Sequence, residues 1–214
     1  MRSSKILEMI ESGKIEDLKA QLQDEIFEET LKRKPNAKKR YTAMKKYFTY
    51  VSSVRDALTK PCVIEFQDKE YTSFTNSYSL VLTKESCGEI EMFDNCNGAY
   101  PDVTRFIDFG GVEQTLDFNK IFAEAKSKGY KLKKSEVTGN GYLMLYEGTY
   151  YRLGLIDASY GIINDGEKAS VFHVPGDYKS RLVINNSLGV CLIMPVNYEP
   201  SPYDTTTIIE VKPE

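Results

Sequence analysis

Apolar residues in the first part of the chain recur at helical spacing. Ile6, Leu7 and Ile10 form a short stripe, Gly13 interrupts it, and Ile15, Leu18, Leu22, Ile26 and Leu31 resume it. The pattern predicts an amphipathic helix or helical hairpin over 4–34. It ends in Lys32-Arg33-Lys34, where a helix dipole favours cations, and Pro35-Asn36 breaks it. A second helix is predicted over 38–57. Tyr41, Met44, Phe48, Val51, Val54 and Leu58 fall on one side at about 100° per residue. The opposite side collects Lys38, Thr42, Lys45, Lys46, Thr49 and Ser53, with no acid among them.

After Lys60-Pro61 the period shortens to two. Cys62–Phe66, Tyr71–Phe74, Ser79–Leu82 and Glu89–Phe93 are short, alternating and rich in β-formers. Asn95-Cys96-Asn97-Gly98 and Tyr100-Pro101-Asp102 mark a loop, and Gly110-Gly111 reads as a turn. A third helix is expected from an N-cap at Asp117 to about Lys128, with Phe118, Ile121, Phe122 and Ala125 inward and Gly129 ending it. Strands are expected again at 130–135, 141–147 and 150–156, followed by a short helical turn at 158–164. Further strands are expected at about 169–174, 181–185, 189–194 and 206–211. Helix then strands, twice over, predicts an α+β fold with internal pseudo-repetition. The divisions are a helical segment at 1–37, an α+β domain at 38–197 with halves 38–108 and 109–197, and a tail at 198–214.

Charge sharpens this picture. Residues 35–60 hold seven basic residues against the single acid Asp56, whereas 61–214 hold 14 basic and 22 acidic residues, a net of −8. One positive helix on an acidic body is unlike a general nucleic-acid coat. Lysines and small hydroxyls on one face suit a phosphate backbone, which needs donors and charge but no base reading. A solvated helix face is the other reading of the same residues. No apolar run reaches the roughly 20 residues that span a bilayer, and the opening residues turn charged too early for a secretory signal, so a cytoplasmic protein without a membrane partner is expected.

Candidate chemistry is sparse. His173 is the only histidine and sits in the alternating run Val171-Phe172-His173-Val174, where a structural imidazole is expected. Cys62, Cys87, Cys96 and Cys191 contain no C-x-x-C pair and are expected as free, mostly buried thiols. Asp94, Asp102 and Asp108 lie in loops without a repeated spacing, which predicts solvated carboxylates and no metal site. There is no Gly-x-Ser-x-Gly elbow and no Gly-rich phosphate loop before a helix. No cofactor and no catalytic residue is predicted. The expectation is a binding module, with an enzyme of unfamiliar type as the remaining class.

Two segments resemble bacterial sliding-clamp sequence. The first comprises Tyr151–Tyr160, then Lys179-Ser180-Arg181-Leu182-Val183-Ile184, then Leu192-Ile193-Met194-Pro195-Val196. It is similar to the last clamp domain: a strand, a short helix carrying a Tyr, a Ser before a strand, and a closing Met-Pro. The second, Phe74-Thr75-Asn76-Ser77-Tyr78-Ser79-Leu80-Val81, resembles the clamp turn Thr-Asp-Gly-x-Arg-Leu-Ala. Tyr100-Pro101-Asp102-Val103 with the helix at 117–128 resembles the passage between clamp domains. The resemblance covers about 41–197, in order. Asn76, Ser77, Ser79 and Asn197 depart from the family pattern, and 1–34 and 198–214 have no counterpart in it.

The resemblance implies repeated helix-plus-antiparallel-sheet units and a non-catalytic processivity or tethering factor, of phage or mobile-element type, bound to double-stranded DNA regardless of sequence. Basic helices would face the duplex, with Lys38, Lys39, Lys45, Lys46 and Lys120 as contact candidates. A chain this short would need several copies to encircle DNA, or it keeps the fold without the ring. The resemblance further implies a cleft for a peptide of a polymerase or other clamp-binding protein, built here from Thr75, Leu80, Met194, Pro195 and Val196. Two alternatives stand beside that cleft: these side chains complete the sheet core, or Ile208, Ile209 and Val211 add an edge strand that covers it. The competing function is an adaptor or inhibitor that binds protein through these surfaces and 1–34, without DNA.

Overall fold

A computed structural model describes residues 3–50, 55–95, 98, 100–174 and 180–212. Val51, Ser53, Val54, Cys96, Asn97 and Lys179, which enter the expectations above, lie outside them. The chain forms two compact units, 1–38 and 39–214.

The first unit is a pair of helices, α1 (Ser3–Glu11) and α2 (Ile15–Arg33), separated at Gly13, whose φ of +71° suits a residue without a side chain. Glu16 and Asp17 in the first turn of α2 and Lys32 and Arg33 in its last turn complement the helix dipole. Leu18 is buried, whereas Leu22 and Ile26 are exposed.

The second unit is α+β. Helix α3 (Ala37–Tyr50) leads into β1 (Cys62–Phe66), β2 (Lys69–Thr75) and β3 (Ser79–Thr83), an antiparallel meander. The turn between β1 and β2 places Gln67 and Asp68 both at positive φ, the hairpin geometry that matches strand twist. Strand β4 (Val112–Leu116) and helices α4 (Phe118–Ser127) and α5 (Lys134–Thr138) follow, then β5 (Tyr142–Tyr146) and β6 (Thr149–Arg152). Helix α6 (Leu153–Ile163) opens a second meander of β7 (Ala169–His173), β8 (Leu182–Asn186) and β9 (Gly189–Ile193). The last strand is β10 (Thr207–Val211).

Seven strands form one antiparallel sheet in the order β1-β2-β3-β9-β8-β7-β4. A helix followed by a three-stranded meander thus occurs twice, as α3 with β1–β3 and as α6 with β7–β9. The two meanders join through β3 and β9, where Ser79 pairs with Ile193 and Thr83 with Gly189. Every residue of β3 and β9 is buried, as central strands require. The sheet's alternation divides the core. Val81, Leu182, Ile184, Cys191 and Ile193 face a layer containing Met44, Tyr47, Phe118, Phe122 and most of α6. Leu80, Leu82, Val183, Val190 and Leu192 face the other way, against Tyr100 and Val103. A separate sheet runs β10-β5-β6, with β10 parallel to β5.

Several expectations hold in detail. Asp117 caps α4, its carboxylate accepting from the Lys120 amide at 3.1 Å, and Phe118, Ile121, Phe122 and Ala125 are all buried. Others are corrected. Glu89–Phe93 is not a strand. Its Phe93 N–H donates to the Pro61 carbonyl at 2.7 Å without forming a ladder. Residues 130–133 are not a strand either, and 134–138 form α5. The region 153–163 is one helix rather than a strand end and a helical turn, because nearly all of its residues are buried and no polar face marks it. Gly110-Gly111 leads into β4. A side chain on Gly111, at φ +93°, would strike the His173 carbonyl at 2.4 Å across the strand pair. The tail adds a strand, but to β5 on the small sheet.

Candidate functional site

The turn between β2 and β3 is built from side chains. Ser77 takes φ +73°, and the Asn76 carboxamide oxygen accepts from the amides of Tyr78 at 3.0 Å and Ser79 at 2.9 Å. The Thr75 hydroxyl donates to the Ser79 carbonyl at 3.0 Å. The Met194 amide then donates to the Tyr78 carbonyl at 2.9 Å, which ties the end of β9 to this turn. Pairing of Leu80 with Leu192 places both on the face away from the helices.

A cleft of about 320 Å³ opens there. Thr75, Leu80 and Met194 line it, so three of the five side chains expected in a peptide pocket meet in one place. Pro195 and Val196 are not among its lining residues. The Val196 amide donates instead to the Tyr150 carbonyl at 2.8 Å, bridging to β6. No described residue of the tail lines the cleft.

The cleft also gathers Arg55, Arg105 and Arg181 around its apolar floor. Arg105 and Arg181 both lie over the Phe106 ring, their guanidinium carbons 4.8 Å and 5.6 Å from its centroid. Arg181 additionally donates to the Phe106 carbonyl at 3.3 Å. A further guanidinium, that of Arg152, sits 5.6 Å from the ring of Tyr78, another lining residue. These arginines were not expected. The available signal was register: Arg181 lies two residues before Val183 and so shares its face of the sheet.

The basic candidates fall on two helices. Lys38, Lys39, Lys45 and Lys46 are all exposed on α3, as are Thr42 and Thr49, while Lys45 lies over the Tyr41 ring at 4.6 Å. Arg40 is different. It is buried, pairing with Glu85 at 3.1 Å and donating to the Asn164 carbonyl. Lys120 is exposed on α4, 4.0 Å from Asp117.

Behind the turn, on the helix side, lies a buried hydroxyl cluster that periodicity alone does not suggest. The Tyr47 hydroxyl is 2.8 Å from the Ser79 hydroxyl, Ser159 donates to the same oxygen at 2.9 Å, and that oxygen lies 3.3 Å from the Asn76 carboxamide oxygen. Burial holds the Tyr47 phenol well above its ordinary pKa, against the lowering effect of the Ser79 hydrogen bond. It likewise pushes the Cys87 thiol up to about 11 and raises those of Cys191 and Cys62, so all three stay protonated at neutral pH. His173 is buried in β7 with its Nε2 3.3 Å from the Thr149 hydroxyl and the Tyr146 and Tyr151 rings edge-on. Among the described residues no three His, Cys, Asp or Glu side chains group to hold a metal, and no helix is long and apolar enough to cross a membrane.

Comparison with family models, with curated proteins and with solved structures finds no match to this chain.

Proposed function

We infer that this protein is a non-catalytic, clamp-like tethering factor. It holds a short peptide of a partner enzyme in the cleft beside the β2–β3 turn and presents the exposed face of α3 to the phosphates of duplex DNA. The observation that carries this reading is the meeting of Thr75 and Leu80, which flank one turn, with Met194, more than a hundred residues further along the sequence, in one cleft on the sheet face away from the helices. The twofold occurrence of helix and meander supports the repeated units that the clamp resemblance implies. So does the position of Lys38, Lys39, Lys45 and Lys46 on the solvent side of a helix whose other side enters the core. Encirclement takes several copies, and the end strands β1 and β4 of the large sheet offer backbone edges for pairing.

The DNA part is tested by fluorescence anisotropy of a labelled duplex across a salt series. Binding should weaken linearly in log–log form with salt as counterions are released. K45E/K46E should bind the duplex more weakly with thermal stability nearly intact, since both side chains are exposed and only the Lys45 contact with the Tyr41 ring is lost. No duplex binding at low salt overturns it. The adaptor reading then takes over, supported by the exposed Leu22 and Ile26, one helical turn apart on α2.

A further inference from the structure

The chemistry of the cleft's occupant is written in its charges. Its floor is aliphatic, with Leu58, Leu80, Val103, Leu192 and Met194. Two of its lining guanidiniums, those of Arg105 and Arg181, share the Phe106 ring. Like charges gathered on one ring repel unless an anion compensates them. Among the described residues, neither Arg105 nor Arg181 is paired with a carboxylate. Two described acids of the neighbouring loops bond within those loops: Asp102 accepts from the Thr104 hydroxyl at 2.8 Å, and Asp108 from the Gly110 amide at 2.8 Å. Both arginines are exposed, yet ring contact and the bond from Arg181 to the Phe106 carbonyl restrain them, so less side-chain entropy is lost when an anion arrives. This arrangement suits a planar, two-oxygen anion next to an apolar group.

We propose that the cleft selects a short peptide carrying an aspartate or glutamate beside an aliphatic or aromatic anchor, with the carboxylate held by Arg105 and Arg181 and the anchor on the Leu80–Met194 floor. This rests on the peptide-cleft reading above and adds to it the sign of the ligand's charge. An aliphatic floor favours a peptide over single-stranded nucleic acid, whose bases call for open aromatic platforms. Here the Phe106 ring already carries two guanidiniums.

The test is selection of a random octapeptide display library on the full chain, followed by titration of the enriched peptides and their Asp→Asn or Glu→Gln counterparts. Enriched sequences should place an acid next to an apolar residue. The amide counterparts should bind about tenfold more weakly or worse, as for loss of a charge-assisted hydrogen bond. R105Q/R181Q should erase the preference for acid while retaining the fold, as checked by circular dichroism. Enrichment of apolar peptides without acids overturns the carboxylate proposal but leaves the peptide cleft standing. Enrichment of nothing overturns both. Tighter binding of oligothymidylate than of any peptide, lost in R105Q/R181Q, reassigns the arginines to nucleic acid.

Discussion

The hydroxyl of Ser79 is the hub of the buried cluster, and its removal should cost more than any single bond it makes. Ser79→Ala deletes the oxygen that meets Tyr47 at 2.8 Å, Ser159 at 2.9 Å and Asn76 at 3.3 Å. Tyr47 and Ser159 are both fully buried, so water cannot replace what they lose. A stranded buried hydroxyl costs about 1–3 kcal/mol. Tyr47 retains a long contact to the Ser79 carbonyl at 3.4 Å, and Ser159 retains Cys191, which places the total near 3 kcal/mol. Tyr47→Phe removes one partner while Ser79 keeps the others, at about 1 kcal/mol. In the double variant the stranded phenol is gone, so its cost should fall about 1 kcal/mol short of the sum. Urea denaturation followed by near-UV circular dichroism, which reports the buried tyrosines, measures all three free energies. At about 2–4 °C per kcal/mol for a domain of this size, Ser79→Ala should lower the melting temperature by about 6–12 °C. Strict additivity of the two substitutions, with coupling within about 0.3 kcal/mol, would refute the idea that these hydroxyls act as a unit.

Two further outcomes follow from burial. Asp157 on α6 has its carboxyl held above the ordinary value by burial, against the opposing Tyr130 hydrogen bond at 3.0 Å and the charge of Lys126. A folded pKa above the unfolded one means a contribution that is complete below the unfolded pKa and lost as pH rises through the folded one. Asp157→Asn, which keeps an acceptor for Tyr130, should therefore flatten the fall in stability from pH 4 upward, and an unchanged pH slope in chemical denaturation would exclude this. Gly189→Ala would place a Cβ 1.9 Å from the Leu82 carbonyl oxygen, a backbone atom that cannot turn aside, so a loss of at least about 1–3 kcal/mol is expected in thermal melts.

The elements that sequence makes legible are those with one wet and one dry side. Helix α4 shows its cap, its apolar spacing and its terminating glycine because solvent lies on one flank. Strand β4 hides for the opposite reason. Val-Glu-Gln-Thr-Leu has a single buried residue, so an edge strand lacks the alternation that marks its inner neighbours. Helix α6 is concealed by burial on nearly all sides, which removes the 3.6-residue stripe and leaves only a run of apolar residues compatible with a strand. In the cleft, Thr75, Leu80 and Met194 are three of the five residues that the clamp resemblance groups, and Pro195 and Val196 lie outside it. Arg55, Arg105 and Arg181 were not legible, since no local spacing links them and only the folded sheet brings them together.

The junction of β3 with β9 also dictates how the molecule comes to exist. Residues 79–83 must find 189–193 across roughly a hundred intervening residues, a loop closure costing about 4 kcal/mol before any ladder bond repays it. During synthesis the first meander emerges early with its inner edge, β3, unpaired until nearly the whole second unit has left the ribosome. The nascent chain therefore carries an apolar edge while roughly a hundred further residues are made, a period of about 10 s at common elongation rates. That interval makes the first meander the segment most exposed to pairing with a neighbouring chain. A ribosome-bound fragment ending before residue 189 is accordingly the species on which chaperone capture or intermolecular strand exchange would act.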